Sequence, residues 1–442
     1  QLLPGPGRVI GNALTGDPRI AGTCFTGSTA TAQAINRNMA AHCAPHAMLI
    51  AETGGINAMI VDSTALPEQA VRDILSSAFQ SAGQRCSALR LLYVQRDIAD
   101  SLKDMLFGAM DALSLGDPWW LANDVGPVID PAARAKIVAH IDAARAGGCL
   151  LKQLDVPDTG FFVGPAAIAV GGIEGLAEEI FGPVLHIATF EAGEIDGLVD
   201  RINARGYGLT FGLQTRIDKR VDSITARIRA GNAYVNRNQI GAVVGTQPFG
   251  GEGLSGTGPK AGGPHYLKRF AAAVGPQIAL PPLNRLAGKV EVEMAFAALP
   301  QVTELPLETR EMPGPTGESN VLSLYPRGVV LCLGPTPDAA AEQAQIARSK
   351  GCAALMVVPR AAGPHSVDGF IERADLAEIE GFDAVALWSE EGDQRAVRAA
   401  LAKRNGPILP LFTEHDFGGR CVHERHVCID TTAAGGNVTL LA

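Results

Sequence analysis

Short apolar runs taking turns with longer amphipathic stretches constrain this chain more than any other feature of it. Positions 20–26, apolar apart from Gly22, Thr23 and Thr26, predict a short buried strand. Gly27-Ser28-Thr29 then turns the chain into an Ala-rich helix over 30–41, with Ser28 or Thr29 as its N-cap. Strands at 47–50, Ala58–Val61 and 91–94 follow, with a helix over 68–80 after the second and one over 98–113 after the third. The second of these helices spaces its apolar residues by three and four, as one face of a helix does. Alternation of this kind predicts an α/β fold, a largely parallel sheet covered by helices.

The alternation stops at 247–264, which runs from Gln247-Pro248-Phe249-Gly250-Gly251 to Ala261-Gly262-Gly263-Pro264. So much glycine forms neither helix nor strand, and the segment must be a loop whose backbone comes close to something else. A linker follows at 276–282. Beyond about residue 325 a second α/β unit starts, with strands at 329–333, 354–358, 384–387 and 408–412 and helices over 338–350 and 393–404. Its pattern is Rossmann-like but lacks the glycine fingerprint after the first strand. The tail, Thr431 to Val438, is small and polar and reads as a docking or flap segment.

At 442 residues the chain is long enough for two or three cored domains. Its net charge is −9, with no block of Lys and Arg, which excludes a duplex-binding face. No apolar run reaches the roughly 18 residues of a spanning helix. Eight cysteines are scattered without a Cys-x-x-Cys pair, so neither a disulfide framework nor a metal site is expected. Reduced thiols and a cytoplasmic location follow, with Cys332 a small hydrophobe in a core. The chain opens at Gln1-Leu2-Leu3 with no Met and no signal peptide, and is read as a cut from something longer.

One cysteine stands apart. Cys86 sits in Gly83-Gln84-Arg85-Cys86-Ser87-Ala88, with little bulk around the sulfur, and Glu52 opens Glu52-Thr53-Gly54-Gly55 upstream. A thiol and one carboxylate among small residues suit covalent catalysis with a general base. The thiolate is the attacking form. Lowering a cysteine from about 8.5 to about 7 takes roughly 2 kcal/mol of preferential stabilisation, part of which backbone amides can supply.

These two segments, together with Glu178-Glu179-Ile180-Phe181-Gly182-Pro183 and Pro248-Phe249-Gly250-Gly251, occur in the order and spacing of the aldehyde dehydrogenase superfamily, which the chain resembles. The resemblance implies an aldehyde dehydrogenase fold: an incomplete Rossmann-type NAD domain and an α/β catalytic domain, then a second Rossmann-like domain. It divides the chain into 1–51 (remnant of the NAD domain), 52–275 (catalytic), 276–325 (linker) and 326–442 (C-terminal domain with tail flap). It makes Cys86 the nucleophile and Glu52 the base that activates water. It also puts Gly27 and Ser28 at the NAD pyrophosphate, and Glu179 and Phe181 at the nicotinamide end. Ala32 departs from the glycine often found there.

The run Asn236-Arg237-Asn238 with Gly241-Ala242-Val243-Val244-Gly245 resembles the branch that oxidises L-glutamate γ-semialdehyde. It implies that Ser87, Gly241 and Ala242 hold the substrate's α-carboxylate and amino group while Phe249 packs on its stem. Residues 313–320, 324–328 and 424–437 resemble the C-terminal extension of the bifunctional proline utilization A family. In that family an upstream proline dehydrogenase domain, which alone holds FAD, passes product through a tunnel. The resemblance therefore implies that domain as a partner in the same polypeptide, a homo-oligomer, and peripheral membrane contact of the full protein. The family's oxyanion Asn and ribose Lys would precede Gln1, so the segment alone is expected to be inactive. Another aldehyde dehydrogenase branch, or a non-catalytic scaffold on the same fold, are the alternatives.

Overall fold

The computed structural model describes residues 1–271, 275–283 and 285–432, and the chain divides into two compact units. The first comprises Gln1–Thr53, Glu252–Arg310 and Ser323–Glu424; the second comprises Gly54–Gly251, Glu311–Leu322 and Arg425–Ala442.

In the first unit, strand Gly22–Gly27 pairs in parallel with Met48–Thr53, Thr26 opposite Glu52. Helix Thr29–His42 connects them. Its N-cap is Ser28, whose Oγ accepts from the Thr31 N–H at 3.2 Å and so satisfies one of the amides that a helix start leaves open. Met39, Cys43 and Ala47 bury the inner face of this small layer. The same unit holds a five-stranded parallel sheet in the order Ser366–Asp368, Ala353–Val358, Val329–Cys332, Ala384–Ala386, Leu411–Phe412. Helix Pro337–Ser349 starts there with Thr336 as cap and Pro at its first position. Cys332 is wholly buried, as its apolar neighbours require. Helix Glu391–Ala402 ties the two layers: Arg395 donates to the Cys43 carbonyl and Arg398 to those of Ala44 and Pro45.

The second unit holds most of a ten-stranded sheet, whose order from the middle outward shows the burial logic. Ala58–Val61 lies between Thr210–Gln214 and Leu91–Gln95, all parallel; Val184–Phe190 and Ala166–Ala169 extend one side, Asn232–Val235 and Val422–Asp430 the other. Strand residues alternate between two cores. Met59 and Val61 face the helices Pro67–Phe79 and Arg96–Asp111 through Ile74, Leu102 and Leu106. Ala58 and Ile60 face Ile195–Ala204 and Asp218–Arg227 through Leu198 and Ile224. A strand buried on both faces reads as one continuous apolar run, which is why Ala58–Val61 was legible.

The stretch 276–325, expected as a linker, carries helix Lys289–Ala297 and strands Glu308–Glu311 and Glu318–Pro326. The helix is held by Val292 and Phe296, which enter the core around Leu331 and Leu355. Of the expected tail flap, residues 433 onward lie outside the described residues. Among the described residues, no helix is long and apolar enough to cross a membrane.

Candidate active site

Cys86 follows a backbone that few sequences tolerate. After helix Pro67–Phe79 the chain places Ser81, Ala82 and Gly83 consecutively in the left-handed region, with φ of 56°, 53° and 64°. A side chain there costs about 1–2 kcal/mol per residue, so the surroundings must enforce the shape. At Gly83 no side chain fits: a Cβ would lie 2.1 Å from the Gly182 carbonyl oxygen.

Enforcement comes from buried donors. Four successive carbonyls are each held by a side chain: Arg85 by Arg90 Nη2 at 3.0 Å, Cys86 by Asn57 Nδ2 at 2.7 Å, Ser87 by Thr210 Oγ1 at 3.1 Å, Ala88 by Asn57 Nδ2 at 2.9 Å. Asn57 is itself fixed, its Oδ1 accepting from the Thr210 N–H at 3.2 Å. Gln239 Nε2 adds a second contact to the Ser87 carbonyl at 3.4 Å. Cys86 is partly exposed while Ser87 is buried, so the loop presents a thiol from a fixed backbone.

Arg90 joins this loop to Glu179. Its Nη2 donates to Glu179 Oε1 at 2.9 Å and its Nε to the same oxygen at 3.2 Å. Burial pushes the Glu179 carboxyl up and pulls the Arg90 guanidinium down, while their attraction opposes both shifts. Phe181 is exposed, and the Arg90 guanidinium carbon lies 5.3 Å from its ring centroid. On the far side of Arg90, its carbonyl accepts from His186 Nδ1 at 2.9 Å, and His186 Nε2 meets His140 Nε2 at 2.9 Å. A carbonyl only accepts, so His186 carries its proton on Nδ1 and His140 donates to it.

Gly241 has φ +75° with open space where a Cβ would stand, and it lies two residues before a turn closed by the Gln247 N–H on the Val243 carbonyl at 2.8 Å. Ala242, just before that turn, is partly buried. Phe249, also partly buried, is held from both sides by Asn232, which donates to the Pro248 carbonyl at 2.9 Å and accepts from the Gly250 N–H at 3.3 Å.

Gly27, Ser28 and Glu52 belong to the first unit, where register brings them to one edge. Thr26 lies opposite Glu52 and Gly27 opposite Thr53, at the start of helix Thr29–His42. The glycine-rich segment closes on this edge: Glu52 bridges Gly256, and the Thr53 N–H donates to Ser255 O at 3.0 Å. This is the close backbone approach its composition implies. Within the first unit, a helix start capped by Ser28 offers amides and a positive dipole end, which suit a phosphate such as a dinucleotide carries. Within the second, the Glu179 carboxylate can accept from hydroxyls such as those of a ribose.

The structure gathers Cys86, Glu179 and Phe181 around Arg90, and separately gathers Gly27, Ser28 and Glu52. Sequence reasoning gave no role to Asn57, Thr210, Gln239 or Arg90, the side chains that hold the loop. Each works across a sequence gap that no local motif reports.

The sequence matches the aldehyde dehydrogenase family over residues 1–273, and the chain belongs to that family and has its fold. It is 41% identical to the bifunctional protein PutA of Klebsiella aerogenes, an alignment covering 98% of this chain and 37% of that protein. A crystal structure of a point variant of Bradyrhizobium japonicum proline utilization A matches with a TM-score of 0.59 and 53% identity, over 61% of this chain and 27% of that one. The 1-pyrroline-5-carboxylate dehydrogenase from Thermus with bound NAD matches with a TM-score of 0.56 and 32% identity, over 61% and 53%. The chain thus spans little more than a third of the length of the Klebsiella relative.

Proposed function

We propose that this chain carries out the NAD-dependent oxidation of L-glutamate γ-semialdehyde to L-glutamate, in a polypeptide that also holds an FAD-dependent proline dehydrogenase. The observation that carries the reading is Cys86 itself: a partly exposed thiol on a loop whose backbone is held at four successive carbonyls, in one hydrogen-bond network with Glu179. The family match and the likeness to PutA and to an NAD-bound 1-pyrroline-5-carboxylate dehydrogenase support it.

The Cys86 thiolate adds to the aldehyde carbon, and the Cys86 N–H donates to the oxygen that becomes negative. Bound NAD supplies the hydride acceptor. Loss of hydride from the thiohemiacetal carbon leaves a thioester on Cys86. Glu52 takes a proton from water, the resulting hydroxide attacks the thioester, and the Cys86 thiolate departs from the new carboxylic acid. Gly27 and Ser28 bind the pyrophosphate, while Glu179 and Phe181 hold the nicotinamide end. The Ser87 hydroxyl and the Gly241 and Ala242 amides take the α-carboxylate and amino group, and Phe249 covers the aliphatic stem. The four-part domain division, homo-oligomerisation, peripheral membrane contact and a cytoplasmic setting complete the proposal.

Steady-state NADH formation by the full-length polypeptide tests it. L-glutamate γ-semialdehyde should exceed simple aliphatic aldehydes in kcat/KM by about a hundredfold or more, because the shorter substrates leave the buried Ser87 hydroxyl and the amides beside it without the α-carboxylate and amine. Equal rates with both would refute the substrate assignment.

A further inference from the structure

We propose that Arg90 is a positioning residue that couples the cofactor-side carboxylate of Glu179 to the peptide group presenting Cys86. This inference rests on the functional reading above and extends it to a residue that neither contacts the reacting atoms nor belongs to any motif used to reach that reading.

A guanidinium has five N–H bonds in a fixed plane. Arg90 uses all five within the protein, and its side chain is 1% exposed. Nη1 donates to the Gly83 carbonyl at 2.7 Å and the Gly182 carbonyl at 3.2 Å. Nη2 donates to the Arg85 carbonyl at 3.0 Å and to Glu179 Oε1 at 2.9 Å, and Nε reaches that same oxygen at 3.2 Å. The partners fall into three pieces of chain: the left-handed turn at Gly83, the nucleophile loop at Arg85, and the Glu179–Gly182 segment. The backbone of Arg90 is anchored as well, its N–H donating to Asn57 O at 2.9 Å and its carbonyl accepting from His186.

The Arg85 contact matters most. The Arg85 carbonyl and the Cys86 N–H belong to one planar peptide group and point in opposite directions. Holding that oxygen therefore aims the Cys86 N–H, the donor assigned to the developing oxyanion, and polarises it. The nitrogen that does this, Nη2, also grips Glu179 through its other N–H. A carboxylate that binds ribose and a peptide that stabilises the transition state thus share one nitrogen of a rigid guanidinium, and a change at either is felt at the other. A lysine, with three donors around one nitrogen, cannot span all three pieces.

The test uses the full-length polypeptide with Glu179→Gln and Arg90→Lys, separately and together. The first readout is the iodoacetamide alkylation rate of Cys86 without NAD, followed by peptide mass spectrometry; the second is the NAD Kd by calorimetry; the third is kcat and KM for NAD. Glu179→Gln keeps an oxygen for Arg90 but removes the opposing charge, so alkylation should quicken about threefold or more. Arg90→Lys should weaken NAD binding and lower kcat together, each by about tenfold. The double variant should lose less than the two single losses multiplied. Alkylation of Glu179→Gln within about 1.5-fold of wild type would overturn the proposal, as would an Arg90→Lys protein with lowered kcat but unchanged NAD Kd. Should Arg90→Lys fail to fold by circular dichroism, the Glu179→Gln alkylation rate decides alone. Alkylation and NAD binding need no aldehyde, so a failed functional reading would show in wild-type turnover without touching this result.

Discussion

Gly83→Ala is the smallest change that should dismantle the nucleophile loop. The residue sits at φ +64°, and an added Cβ would lie 2.1 Å from the Gly182 oxygen and 2.9 Å from the Ala78 oxygen. The left-handed backbone alone costs a non-glycine residue about 1–2 kcal/mol. Both obstructing atoms are backbone, so relief requires moving packed chain, about 1–3 kcal/mol more. The expected destabilisation is therefore about 2–5 kcal/mol, at the upper end of point substitutions. The same movement pulls the Gly182 and Gly83 carbonyls off Arg90 Nη1, so the Cys86 peptide loses its support. Differential scanning fluorimetry should show a clear fall in melting temperature, and NADH formation with L-glutamate γ-semialdehyde should drop at least about tenfold, equivalent to roughly 1.4 kcal/mol of barrier. A variant with the wild-type melting temperature and wild-type turnover would show that the loop does not depend on this turn.

Gly108 provides the opposite case. It lies within helix Arg96–Asp111 with nothing near the position of a Cβ, so Gly108→Ala should stabilise by about 0.5–1 kcal/mol in the same melting assay; a lowered melting temperature would contradict this. His186 governs acid behaviour. Burial holds it at about 4 against an ordinary 6.5, so the unfolded chain takes the proton first. Its contribution is complete above pH 6.5 and is lost as pH falls towards 4, by about 3 kcal/mol over that interval. His186→Asn, which keeps a donor for the Arg90 carbonyl, should flatten the fall of melting temperature between pH 6.5 and 4.5, and an unchanged slope would contradict the assignment.

Much of the architecture was legible because burial on two faces leaves a local trace. Ala58–Val61 is apolar at every position and forms a central strand with those bounds. The glycine-rich segment announced a close approach, and Glu52 bridging Gly256 is that approach. A cap at Ser28 or Thr29 was readable from its place before an Ala-rich run, and the structure gives it to Ser28. Elements held by distant partners were not legible. Glu308–Glu311 is exposed at every position, so no apolar alternation marks it as a strand. Lys289–Ala297 owes its burial to strands that come later in the chain. At the site, motif spacing pointed to Cys86 and Glu179, whereas Arg90 joins them across 89 positions of sequence. Asn57 reaches Cys86 across 29. Buried polar side chains of this kind are specified by the completed fold, and only their burial betrays them.

Trapping the covalent species addresses the central claim most directly. The full-length polypeptide carrying Glu52→Gln, supplied with NAD and L-glutamate γ-semialdehyde, should release about one NADH per site in a burst and then stall. Peptide mass spectrometry should find a glutamyl thioester on Cys86 and on none of the other seven cysteines. A burst with no adduct on Cys86, or undiminished steady turnover without Glu52, would contradict the account.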